Sequence, residues 1–174
     1  MDLVSNSTFI RHSYMARFYV IFGQGGFITS IGMSNLASRI SHLYPGSKVT
    51  THSWKYPTQI ADDIKAQSLS TKIVLIGYSL GANAVTWVSN SVGRTIDLAV
   101  CYDPSVLSIV KDPNSNVKRL LLYHNQDFEP LGHAIMTGPQ VERTDISMWH
   151  LAVCYSEQLH QKTLGAITQV MSHT

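Results

Sequence analysis

The run Ile73-Val-Leu-Ile-Gly77-Tyr-Ser79-Leu-Gly81-Ala-Asn83 carries a wholly apolar segment straight into Gly-x-Ser-x-Gly and then into a helix-forming stretch. An unbroken apolar strand is one covered on both faces, which is the situation of an inner parallel strand. The pentapeptide alone says little, because Gly and Ser are common residues. Its context gives it meaning. A serine at the tip of a sharp strand-to-helix turn is held in strained backbone, and flanking glycines let strand and helix approach with no Cβ between them. The hydroxyl is left exposed and oriented.

The rest of the chain repeats the pattern of apolar runs separated by helical periodicity. Strands are expected at residues 18–22, 49–53, 72–76, 98–102 and 119–124. Helices are expected at 34–43, 57–69, 80–91 and 156–171. Leu36, Ile40 and Leu43 form the inner face of the first, and Ile60 and Ile64 that of the second, whose Asp62 and Asp63 suit the positive end of a helix dipole. Alternating strands and helices with right-handed crossovers give a three-layer α/β/α sandwich on a mainly parallel sheet of five to six strands. With 174 residues, 44% hydrophobic and 14% charged, one domain over 1–174 accounts for the whole chain.

Composition also excludes several classes. The net charge is only +2, and Lys and Arg are scattered, so no nucleic-acid surface is expected. Cys101 and Cys154 sit in apolar stretches far apart in sequence, which reads as two buried free thiols rather than a disulfide framework. No run of about 18 apolar residues exists to cross a membrane. The start, Met1-Asp-Leu-Val-Ser-Asn-Ser-Thr, lacks a basic head followed by an apolar segment, so a cytoplasmic protein is expected, with release by lysis or a non-standard route left open.

Reactive groups in such sheets gather beyond the carboxyl ends of the strands. The first strand runs into Gly23-Gln24-Gly25-Gly26-Phe27-Ile28, which breaks the dinucleotide fingerprint at its sixth place, and the next strand ends in His52-Ser-Trp54 without an acidic ribose partner. An oxyanion loop fits better, with the Leu80 amide as one donor and that of Gln24, or of Gly25, as the other. A serine nucleophile needs a base and the base an orienting acid. Among eight histidines, His150 stands after the last sheet segment and just before the final helix, and His133 is its alternative. His12 and His173 read as exposed bystanders, His42 and His160 as helix-surface residues, and His52 as a residue that could line the site. Asp103 follows an apolar strand and precedes Pro104, which fixes its exit, whereas Asp127 lies in a polar run. Asp103 is preferred as the acid, and Asp127 is kept as the alternative. Asp145 reads as a loop charge.

From Tyr19 to Met171 these features, Gly77-Tyr-Ser-Leu-Gly81, the Gly23 to Gly26 loop, Asp103 and His150, resemble a minimal α/β-hydrolase, similar in economy to cutinases and to small phage envelope esterases. The resemblance implies a capless serine esterase or lipase with no metal and no organic cofactor, acting on an ester or thioester that could be bulky or polymeric. It departs from the family in having almost no room for two leading antiparallel strands and in lacking cutinase-like disulfides. An Asp-Pro acid after the strand following the elbow strand resembles pancreatic-type lipases, while the commoner hydrolase arrangement favours the position of Asp127. Residues 129–144 read as a long surface loop on the substrate side. Trp54, Tyr78, Phe27 and Trp149 are candidate walls, each expected to serve the core first. An acyltransferase with the same triad, or a non-catalytic binding or virion-structural module keeping the fold, are the competing readings.

Overall fold

Apolar runs with no polar face can only be inner strands, and they set the architecture. The computed structural model describes residues 16–127 and 134–172. Among them one sheet contains β1 (Ala16–Phe22), β2 (Lys48–Ser53), β3 (Lys72–Tyr78), β4 (Leu98–Tyr102), β5 (Leu120–Asn125) and β6 (Val141–Ile146). The order is β2-β1-β3-β4-β5-β6, and every pairing is parallel. The helices are α1 (Ile31–Leu43), α2 (Pro57–Ala66), α3 (Leu80–Ser91), α4 (His150–Val153) and α5 (Glu157–Ser172).

Alternation along each strand distributes the core between two layers. Phe18, Val20 and Phe22 of β1 pack with Met33, Leu36 and Ile40 of α1 and with Leu159 and Ile167 of α5. Tyr19 and Ile21, pointing the other way, pack with Ile60 and Ile64 of α2 and with Val85 and Val88 of α3. The result is a three-layer α/β/α sandwich. Both cysteines are free and buried. Among the described residues no helix is long and apolar enough to cross a membrane.

Several local expectations are corrected. Part of the anticipated 129–144 loop is strand β6, and residues 128–133 lie outside the described ones. As an edge strand it is solvated on one side, so Glu142, Arg143 and Asp145 do not interrupt it. Asp145 is therefore a strand residue, ion-paired with Arg143 and His124. Helix α1 begins at Ile31, three residues earlier than its periodicity suggests, and α2 stops at Ala66 rather than at residue 69. Asp62 and Asp63 fall inside α2 instead of at its start; Asp62 pairs with Lys65, while Asp63 accepts a 2.6 Å hydrogen bond from the Tyr19 hydroxyl.

The chain enters the sheet at β1, adds β2 on one side, then returns to add β3 on the other. This reversal opens a crevice at the carboxyl ends of β1 and β3, the place where open α/β sheets bind ligands. Gly23 and Ser79 are the first residues beyond those two strands.

Candidate active site

Ser79 lies between the end of β3 and the first residue of α3 with φ 56° and ψ −124°. Such a conformation costs a residue with a Cβ roughly 1–3 kcal/mol and persists only where the surroundings hold it. Here they do. The Ser79 amide donates to the Tyr102 carbonyl on β4 at 2.9 Å, and its own carbonyl accepts from Ala82 and Asn83 in the first turn of α3. A Cβ on Gly77 would run into the Gly81 backbone, and one on Gly81 would strike the Ile21 carbonyl, so strand and helix close only with glycine at both places. A Cβ on Gly23 would sit 2.9 Å from that of Ser79. The glycine loop can therefore lie directly against the serine.

His150, the first residue of α4, reaches this turn from the far end of the chain. Its Nε2 lies 2.9 Å from Ser79 Oγ, and its Nδ1 lies 2.6 Å from Asp103 Oδ2. A carboxylate can only accept, so Nδ1 carries the proton toward Asp103 and Nε2 is left to accept from the serine hydroxyl. Relative exposure is 0% for Asp103, 3% for His150 and 7% for Ser79, so the relay is shielded from water along most of its length. Asp103 also takes a positive φ, 43°, a region that aspartate enters more readily than most residues. Its amide donates to the Tyr123 carbonyl at 2.8 Å.

The histidine is held from several sides. The Tyr78 hydroxyl donates to the His150 carbonyl at 3.0 Å, and the two rings stack with centroids 5.1 Å apart. Buried Asn125 donates to the Met148 carbonyl just before the histidine, and its amide also faces Asp103 Oδ2 at 3.5 Å. Behind α4, His160 Nε2 donates to the Cys154 carbonyl at 2.8 Å. Helical position suggests a surface site for His160, but it is only 3% exposed, and this burial pushes its pKa down. Residues 104–116 have no helix or strand, and asparagines bind them to α3. Asn83 donates to the Ser105 and Ser108 carbonyls and accepts from the Ser105 amide, and Asn90 joins Asp112 and Asn114.

Ser79, His150 and Asp103 are thus brought together. Asp127 is not: it is exposed, and both carboxylate oxygens accept from the Ser147 hydroxyl. His133 lies outside the described residues. His52 bonds to Thr50 and stacks on Tyr19, away from the serine cleft, and His42 is exposed on α1. Gln24 and Leu80 both line a cleft of about 280 Å³ around Ser79 and His150, together with Thr29, Leu107 and Leu151. Leu80 opens α3, where the first amides of a helix have no intrahelical acceptor and face outward. Phe27 and Trp149, expected in the core first, are 61% and 74% exposed, whereas Tyr78 is fully buried.

Sequence reasoning named Tyr78 as a wall but not its contact with His150, and it missed Asn83, Asn125 and the walls Leu107 and Leu151. Only Tyr78 carried a usable signal, as the residue between glycine and serine in the elbow. A wider groove of about 740 Å³ runs between α1 and α5 past Arg39, His42 and Gly165, but shares no residue with the serine cleft. Among the described residues no group of three or more His, Cys, Asp or Glu side chains could hold a metal ion.

No protein-family model and no curated protein sequence matches the chain. Among solved structures, an iodinated complex of acetyl xylan esterase superposes with a TM-score of 0.48 at 15% identity, covering 91% of this chain and 99% of that one.

Proposed function

We propose that the chain is a serine hydrolase that cleaves carboxylic esters or thioesters through an acyl-enzyme intermediate. One observation carries the reading: Ser79 Oγ is 2.9 Å from His150 Nε2, whose other ring nitrogen is 2.6 Å from the buried Asp103 carboxylate. Ser79 attacks the carbonyl carbon as its proton passes to His150 Nε2, and Asp103 stabilises the resulting imidazolium and keeps its ring oriented. The Leu80 and Gln24 amides hold the developing oxyanion, the contribution that is often the largest in such reactions. His150 returns the proton to the departing alkoxide or thiolate, then activates a water that attacks the acyl carbon and regenerates Ser79. No metal or organic cofactor is required in this scheme.

Transfer to another acceptor would use the same acyl-enzyme. The open rim favours water, since Leu107 and Leu151, which line the cleft, are solvent-exposed. Incubation with a fluorophosphonate probe followed by peptide mapping tests the proposal. The expected adduct is confined to Ser79 and absent in Ser79→Ala. A folded protein that stays unlabelled would leave the non-catalytic module as the better account.

A further inference from the structure

Beside the serine cleft lies a second one of about 220 Å³, lined by Trp54, Pro57, Leu80, Ala84, Trp87 and Ile109. The two share Leu80, the neighbour of Ser79, and the run Leu107, Ser108, Ile109 walls both. Both open at the carboxyl edge of the sheet, displaced toward opposite helix layers. Tyr78, which stacks on His150, packs into the layer of α1 and α5. Trp54 and Ala84 pack into the layer of α2 and α3.

The chemistry of the proposed hydrolysis distinguishes the two. The base that took the serine proton must deliver it to the leaving oxygen, so the alcohol or thiol half of the substrate lies on the His150 side. The acyl half extends from the carbonyl carbon in the other direction, past Leu80. We infer that the Trp54–Trp87 cleft is the acyl subsite and takes an apolar acyl group of about six to eight carbons. This rests on the triad reading of the proposed function.

The two indoles and the aliphatic side chains of the cleft favour hydrocarbon, while Lys55, Asn83 and Ser108 complete the lining. Its one inward amide, Asn83, spends both ends of its side chain on the Ser105 and Ser108 backbone, so indole and aliphatic surface remain. Lys55 is exposed at the mouth. Taking ~30 Å³ for each water-sized group, the space holds about seven methylenes.

The test compares p-nitrophenyl octanoate, p-nitrophenyl acetate and octyl acetate, with fluorophosphonate labelling of Ser79 run on every protein. Ala84→Leu fills the cleft, and Ile109→Glu places a charge at its wall from an exposed position that does not threaten folding. The expected result is a wild-type preference for octanoate over acetate that falls about tenfold in each variant, within the range that small changes in an apolar pocket produce. The ratio of octyl acetate to p-nitrophenyl acetate stays where it was. The inference is overturned if the octanoate preference is absent or survives Ile109→Glu, or if the octyl acetate ratio falls instead, which would assign the cleft to the alcohol. Loss of labelling in the wild-type protein would mark failure of the triad reading itself.

Discussion

Asp103 and Asp127 lie beyond the carboxyl ends of adjacent strands, β4 and β5, at the same edge of the sheet, and their surroundings separate them completely. Asp103 is fully buried, held by its amide to β5 and bonded to His150. Asp127 is exposed and bonded to a single serine hydroxyl that water could replace. A carboxylate can orient an imidazole only if it is itself held still, and burial beside the histidine makes the interaction far stronger than at the surface. Position at a strand end is therefore insufficient. The chain on the C-terminal side of the aspartate decides: Asp103 leads into a segment tied to α3 by Asn83 and Asn90, whereas the side chain of Asp127 faces solvent at the end of its strand.

The largest effect that would sharpen this contrast is on turnover. Asp103→Asn should lower kcat by about 10⁴-fold, the scale seen when a triad aspartate becomes an amide and the histidine takes the wrong tautomer. A p-nitrophenyl ester assay on the folded variant checks this. Next comes the clamp behind Asp103. Asn83→Ala removes three hydrogen bonds and strands the Ser105 amide and carbonyl, costing roughly 2–3 kcal/mol of folding stability by urea titration. A loss no larger than that of a surface substitution would mean that the 104–116 segment is not held through Asn83.

The smallest effect concerns the support behind His150. Burial pushes the pKa of His160 below its ordinary value, so the unfolded chain binds a proton more readily than the folded one as pH drops. The stabilisation is complete above about pH 6.5 and is lost as pH falls through the folded pKa. His160→Gln keeps a donor for the Cys154 carbonyl but does not titrate, so its urea midpoint should fall less steeply on acidification than that of the wild type. Half-buried His52, shifted in the same direction by burial, leaves some slope in both. Identical slopes would mean that His160 is not a determinant of acid stability.

The contrast between the two aspartates is legible in the sequence alone, because an apolar strand before Asp103 and a proline after it are local features. The inner strands are legible for the same reason: burial on both faces leaves an unbroken apolar run. β6 is hidden because an edge strand needs no such run, and Val-Glu-Arg-Thr-Asp-Ile shows neither alternation nor apolarity. Asn83, Asn125 and His160 are invisible for a different reason. Each is an ordinary polar residue until folding sets it against a backbone group distant in sequence or newly buried. Ser79, His150 and Asp103 stand out by residue type and chain order; the groups packed against them do not.

The most direct measurement is the second-order rate of Ser79 modification by one fluorophosphonate in the wild type, Asp103→Asn and Asp127→Asn at the same pH. Asp127→Asn is expected to react at close to the wild-type rate and Asp103→Asn to be slower by about 10³-fold or more. The reverse order, or two variants that both react like the wild type, would contradict the role assigned to Asp103.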